Sequence, residues 1–353
     1  MSKIKVDFRS DTVTKPSPEM WEAIRSLDDS KLGDDVLKED PTVNELEEKA
    51  ARITNKEAAL LVTSGTQGNI VSLLSSTNPG DEVLLEDQSH ILIYEVGGAA
   101  RLGGLVTRSF PSNKGVFLPE TIQPLIRTRT DVHQPWTTLL CVENTHNRHG
   151  GTIFPLENLE KLGMLASEKE FRIHMDGARI FNAAVALKRP VTDFAKHVDS
   201  IMFCLSKGLS CPVGSLIVGS QEFIDRARKN RKLLGGGMRQ AGIIAITGLI
   251  ALEQRWIDRL TEDHDNARRL AKGLEEYNLP ITIKDPQTNI LMVECPIETP
   301  MDKLQALLTR EGILAYNMEN RIRLVTHYGI NREDIDYSIE KIAETLKIFF
   351  SDR

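Results

Sequence analysis

Short apolar runs punctuate the middle of the chain, each followed by a polar turn and most then by a stretch of helical periodicity. The runs at 58–62, 82–85, 105–109, 138–142, 172–175, 200–205 and 215–218 are too short for helices and read as strands. Residues 67–75, 91–102 and about 156–167 read as helices between them, the second despite its glycines. Strand and helix alternating in this way imply a largely parallel sheet covered by helices, an α/β architecture. Ahead of this block lies an arm with a short helix near residues 19–27, marked off by Pro16 and Pro18. Asp34, Asp35, Asp40 and Pro41 make a turn-rich link. Thr42 reads as the cap of a helix starting at Val43, with Glu45 as its capping-box partner. Beyond Gly235–Gly237 a single long helix is expected from about Ala241 towards Leu270. The tail alternates strand (289–293), helix (301–310), strand (321–326) and helix (332–350), a small C-terminal α+β domain. The expected division is an N-terminal arm at 1–30, a large domain at 31–255 and a small domain at 256–353.

Composition narrows the classes. The 353 residues, 41% hydrophobic and 27% charged, fit a soluble globular protein with ample core. A net charge of −6 argues against nucleic acid as a partner, since phosphate neutralisation needs a basic surface. Arg226, Arg228, Lys229, Arg231 and Lys232 share one helix and read as a solvated face. No apolar stretch is long enough to span a bilayer, and residues 1–7 lack the apolar core of a signal peptide. Cys141, Cys204, Cys211 and Cys295 show no paired spacing and read as reduced, buried thiols, so a cytoplasmic location without membrane partners is expected.

Five polar segments directly follow predicted strands: Ser64-Gly65-Thr66, Asp87–His90, Glu143–His146, Asp176–Arg179 and Ser206-Lys207. Ligands of open α/β sheets bind beyond the carboxyl ends of the strands. Ser64-Gly65-Thr66 stands between a strand and a helix, where free N–H groups suit an anion, although such turns are common without one. Lys207 puts a flexible cation at the end of an apolar strand, and Asp176 puts an acid at the end of another. Together they suggest pyridoxal 5'-phosphate, the lysine bonding its aldehyde and the aspartate keeping its ring nitrogen protonated. Taken singly, each residue has a plainer reading. Lys207 can snorkel to the surface, Asp176 and Arg179 can form a structural ion pair, and His90 and His146 can serve loop backbone. A nicotinamide site is not indicated, because no Gly-x-Gly-x-x-Gly follows the first strand.

Read together, longer strings carry a resemblance. They are Phe8-Arg-Ser-Asp-Thr-Val-Thr-Lys-Pro16, Gly33-Asp-Asp-Val36 with Glu39-Asp-Pro-Thr42, Glu143-Asn-Thr-His-Asn147 and His174-Met-Asp-Gly-Ala-Arg-Ile-Phe-Asn182. Further along come Leu205-Ser-Lys-Gly208, Pro212-Val-Gly-Ser215, Gly235-Gly-Gly-Met-Arg-Gln240 and Ile322-Arg-Leu-Val-Thr-His327. In this order, and over nearly the whole chain, they resemble the threonine aldolases, fold-type I pyridoxal phosphate enzymes related to the β-eliminating lyases. The resemblance implies a mostly parallel seven-stranded sheet with a small C-terminal α+β domain. It implies that Lys207 holds the cofactor covalently, Asp176 pairs with its ring nitrogen and His90 stacks on its face. Ser64, Gly65, Thr66 and Ser206 would hold the phosphate, with Lys232 and Arg239 reaching over from a neighbouring subunit of a homodimer or homotetramer. Arg179, Arg323 and Ser10 would take the substrate carboxylate, with Tyr94 nearby and His146 close to the substrate hydroxyl. The implied reaction is retro-aldol cleavage of L-threonine or L-allo-threonine to glycine and acetaldehyde. β-Elimination is the in-class alternative, and a catalytically silent homologue the other. The proton acceptor stays open among His90, His146 and water, and no residue is assigned to a metal. Where many members carry Tyr-Gly, this chain has Leu37-Lys38.

Overall fold

In the computed structural model, which describes residues 4–351, the chain opens with the short strand β1 (Val6–Asp7). There follow β2 (Ala58–Val62), β3 (Glu82–Glu86), β4 (Val106–Phe110), β5 (Thr137–Glu143), β6 (Arg172–Asp176), β7 (Ser200–Cys204) and β8 (Ser215–Gly219). These seven later strands form one sheet in the order β2-β8-β7-β6-β5-β3-β4. β3 to β7 are mutually parallel, whereas β8 is antiparallel to both β7 and β2. The mostly parallel seven-stranded sheet is therefore present. The exception has a simple cause: the β7–β8 connection, which carries Lys207, has no crossover helix, so the chain turns back instead of returning parallel.

Three local expectations are corrected. Thr42 does not cap the helix Pro41–Thr54; Asp40 does, accepting the Val43 N–H at 3.0 Å, with Pro41 in the first turn. The Thr42 hydroxyl donates instead to the Lys31 carbonyl. The helix expected over 91–102 splits into His90–Ile93 and Gly98–Gly103, because Val96 and Gly97 both take positive φ (56° and 66°). The long helix breaks into Gly242–Ala251, Gln254–Asp258 and Leu260–Glu275, with Glu253 extended at the first joint. The breaks let Ala251, Trp256, Ile257 and Leu260 all reach the core.

A second sheet is built from β9 (Thr282–Ile283), β10 (Ile290–Glu294), β12 (Tyr316–Met318) and β13 (Arg321–Val325), in the order β12-β13-β10-β9. β11 (Ile313–Leu314) pairs in parallel with β1, so the start of the chain is stitched to its last third. Val6 and Phe8 accordingly share a core with Leu270, Leu291, Leu324 and Leu346. From there residues 9–14 pass across the strand ends of the large sheet, and the Thr14 hydroxyl donates to the Lys207 carbonyl at 3.0 Å.

The basic helix face is not simply solvated. Arg231, 1% exposed, is ion-paired to buried Asp35 at 2.9 Å and donates to the Leu61 carbonyl at 2.6 Å. Asp35 also accepts the Met238 N–H, tying the glycine-rich loop to this pair. Arg231→Met is expected to lower stability by about 3–5 kcal/mol, because it strands a buried carboxylate. A urea unfolding curve checks this. All four cysteines are buried and free. Among the described residues no helix is long and apolar enough to cross a membrane.

Candidate active site

Because β2, β3, β5, β6 and β7 all point the same way, the five polar segments gather along one edge of the sheet. Asp176 ends β6, opposite Glu143 on β5 and Met202 on β7. It is buried, its Oδ2 accepting from Asn69 Nδ2 at 2.9 Å and its Oδ1 from the Ala178 N–H at 3.1 Å. Asn69 is itself oriented from behind. Burial holds His174 down at about 4, so its ring is neutral at physiological pH. Its Nε2 lies 3.1 Å from Asn69 Oδ1 and its Nδ1 2.9 Å from Ser200 Oγ. An Oδ1 can only accept, so the proton sits on His174 Nε2 and the Asn69 amide faces the acids. That amide donates to Glu95 Oε1 as well, at 2.7 Å.

Glu95 in turn holds His90, whose Nδ1 is 3.0 Å from Glu95 Oε1. Burial alone would push the His90 ring down, but its bond to Glu95, with Asp176 close by, carries it above its ordinary value. His90 lines a cavity of about 380 Å³ together with Ser10, Tyr94, Asn147 and Arg323. Lys207, Asp176 and His146 do not line it. His146 is 2% exposed, with Nε2 against Glu86 Oε2 at 3.0 Å.

The two arginines are in unlike states. Arg179 clasps Asp11 of the arm through Nε (2.7 Å) and Nη2 (2.6 Å), so the fork expected for a substrate carboxylate is taken by a residue of the chain. Asp11 is held well below the usual carboxylate range by that guanidinium, against the effect of its burial. Arg323 has no such partner among the described residues. It donates to Asn147 Oδ1 (2.7 Å) and the Arg9 carbonyl (3.2 Å), and its buried Nε is unpaired. Burial, and then the charge of Arg179, push it down to about 10. Arg323 is thus a cation short of negative charge at the cavity wall.

Lys207 stands half-buried beyond β7, and its amine has no hydrogen-bond or ion-pair partner among the described residues. Ser206 is half-buried beside it, and Ser64 caps the helix Gly65–Ser76 by accepting the Gln67 N–H at 3.1 Å. The preceding N–H groups of Gly65 and Thr66 are the orphan donors of that helix. A Cβ at Gly65 would sit 3.0 Å from Cys204 Sγ, a close approach that suits glycine. Lys232 and Arg239 lie outside the cavity and are exposed, Arg239 paired to Asp34. Leu37 is 66% exposed. The residues present fit pyridoxal phosphate: a free amine, a buried acid with spare lone pairs, and helix N–H groups for a phosphate. Local sequence does not mark Asn69, Glu95, Asn147 or Asp11 as site residues. Only Asn147, inside the Glu143–Asn147 string, and Asp11, inside the Phe8–Pro16 string, carried any signal there.

The β-eliminating lyase family model matches residues 7–297. An Arabidopsis thaliana protein, called a probable low-specificity L-threonine aldolase, is 43% identical over 98% of both chains. The low specificity L-threonine aldolase of Escherichia coli is 40% identical, covering 94% of this chain and 96% of its own. Among solved structures, a Leishmania major threonine aldolase superposes with a TM-score of 0.82 at 19% identity, over 97% of this chain and all of that one, a likeness of fold.

Proposed function

Since this chain belongs to the threonine aldolases of the β-eliminating lyase family, we propose that it is a pyridoxal-phosphate-dependent carbon–carbon lyase cleaving L-threonine and L-allo-threonine to glycine and acetaldehyde. The observation that carries the assignment is the Lys207 amine beyond β7, without a hydrogen-bond or ion-pair partner among the described residues, with buried Asp176 ending the adjacent β6. When bound, the cofactor supplies a protonated ring that draws electrons from the substrate's Cα. Lys207 would hold it through its amine. Asp176, steadied by the His174–Asn69 relay, keeps the proton on the ring nitrogen. Ser206 and the helix N-terminus at Ser64, Gly65 and Thr66 hold the phosphate.

Arg323 takes the substrate carboxylate, supported by its lack of an acidic partner, while Arg179 fixes the arm through Asp11 and reaches the site only through Asn147 Oδ1 at 3.2 Å. This grip fixes the orientation of the substrate and so which bond at Cα breaks. For removal of the hydroxyl proton this reading favours His90, which lines the cavity beside Arg323. Cα then gains a proton as glycine forms, and Cβ leaves as the aldehyde carbon. Exposure of Lys232, Arg239 and Leu37 supports a shared interface, with the two cations serving the site of a second copy in a cytoplasmic homodimer or homotetramer.

Acetaldehyde release from either diastereomer, followed with an NADH-linked alcohol dehydrogenase, tests the activity; ammonia release without acetaldehyde would instead indicate β-elimination. Arg323→Gln is expected to raise KM for threonine about 10- to 100-fold, the worth of one charge-assisted hydrogen bond, with a smaller change in kcat. Steady-state kinetics read the split.

A further inference from the structure

Glu95 meets the His90 ring because the chain breaks its helix between them and the next one. His90–Ile93 is a single helical turn, after which Val96 and Gly97 take φ of 56° and 66°. A β-branched residue seldom adopts such a backbone, and here it folds Glu95 back towards the ring five positions earlier. The Gly98 N–H closes the turn on the Glu95 carbonyl at 2.9 Å. The Glu95 carboxylate is fully buried, whereas the His90 side chain is 29% exposed and lines the cavity.

Two features set this contact apart from an ordinary ion pair. Its donors converge on one oxygen: Oε1 is 3.0 Å from His90 Nδ1 and accepts from Asn69 Nδ2 at 2.7 Å. Oε2 is buried with no hydrogen-bond partner among the described residues. A pair kept for stability alone would satisfy both oxygens, since a bare buried carboxylate oxygen is costly. An ionised carboxylate can only accept, so the proton of the His90–Glu95 bond sits on Nδ1. In the neutral ring the lone pair is then on Nε2.

We propose that Glu95 is a positioning residue for the aldol cleavage, holding the Nδ1–H of His90 so that Nε2 offers its lone pair to the substrate hydroxyl. This deepens the assignment above and rests on His90 being the proton acceptor there. The O–H bond breaks as an N–H bond forms at Nε2. The pair left on oxygen becomes the second bond of the aldehyde carbonyl, and the Cα–Cβ pair stays with Cα until Cα gains a proton. The imidazolium so formed faces the Glu95 charge, the support that a carboxylate gives a histidine base. Burial lowers the proton affinity of His90, and Glu95, Asp176 and Glu143 together outweigh it. Arg9, Arg323, Tyr94 and Tyr316 share the cavity with the ring. Burial also pushes the Glu95 carboxyl up, against its bonds to His90 and Asn69.

The test compares the cofactor-loaded parent with Glu95→Gln by nitrogen-15 spectra of labelled histidine, a His90→Gln spectrum identifying the ring. The parent is expected to carry the neutral-ring proton on Nδ1, a measurement that needs no variant. Glutamine keeps an acceptor but no charge, so the His90 midpoint should fall by at least about one pH unit. Only the unprotonated ring accepts, so the acid limb of kcat/KM for L-threonine should move to lower pH by the same amount. The weaker base should lower kcat about 3- to 30-fold. A proton on Nε2 in the parent would overturn the role. So would a folded Glu95→Gln protein with the parent's midpoint, or a midpoint shift that the acid limb does not follow. A parent that releases no acetaldehyde would instead remove the assignment itself, and this role with it, whatever the spectra show.

Discussion

Lys207→Ala is expected to lower acetaldehyde release from L-threonine by at least about 1,000-fold while leaving a folded protein. The lysine is half-buried and its amine has no hydrogen-bond or ion-pair partner among the described residues, so truncation breaks no pair, and Asp11, which feels its charge, keeps Arg179. Stability should therefore shift by no more than about 1 kcal/mol. A lysine that merely snorkelled to solvent would give the same stability result and unchanged turnover. Its backbone is held independently of its amine, by Thr14 on the carbonyl, so the loop should keep its place in the variant. Turnover, thermal unfolding and the absorbance of covalently held cofactor, measured on one preparation, separate the two outcomes.

The second large effect is on stability. Asp11→Ala is expected to cost about 3–5 kcal/mol, because it leaves the Arg179 guanidinium buried without its counter-charge. Asp11 is fully buried, Arg179 is 4% exposed, and Asn289 Nδ2 adds only a 3.3 Å bond to the same carboxylate. Arg179→Met should be similarly harmful, and the double variant less harmful than the sum, since each single change strands the other's charge. Asp11 is held below its ordinary value in the folded state. Its contribution is therefore fully present above the unfolded pKa of about 3.9 and is lost as pH falls below it. Unfolding at graded pH should show the Asp11→Ala penalty at neutral pH shrinking in strong acid. Because the arm is anchored here, the same variant should loosen Ser10, which lines the cavity.

Much of the large sheet could be read from local pattern. Buried strands such as Glu82–Glu86 and Ser200–Cys204 are short apolar runs that betray themselves without any partner. Polar residues directly after such runs mark strand ends, which is why Lys207, Asp176 and His90 stand out in the sequence. What sets their environment was not. Asn69 contacts Asp176 across 107 positions, Arg179 meets Asp11 across 168, and Arg231 meets Asp35 across 196. Side-chain bonds over such separations leave no periodicity. Arg179 and Arg323 looked alike as carboxylate ligands for the same reason. Only their partners distinguish the neutralised cation from the one in want of an anion. The helices depart from their expected bounds for local reasons instead: Pro41 moves a cap back to Asp40, and positive φ at Val96 and Gly97 breaks a helix whose glycines alone do not decide the point.

The bond that breaks can be observed directly. Purified protein with pyridoxal phosphate and uniformly carbon-13-labelled L-threonine, followed by carbon NMR, should yield doubly labelled glycine and doubly labelled acetaldehyde in equal amounts. A labelled four-carbon keto acid with ammonia, and no labelled glycine, would contradict cleavage between Cα and Cβ.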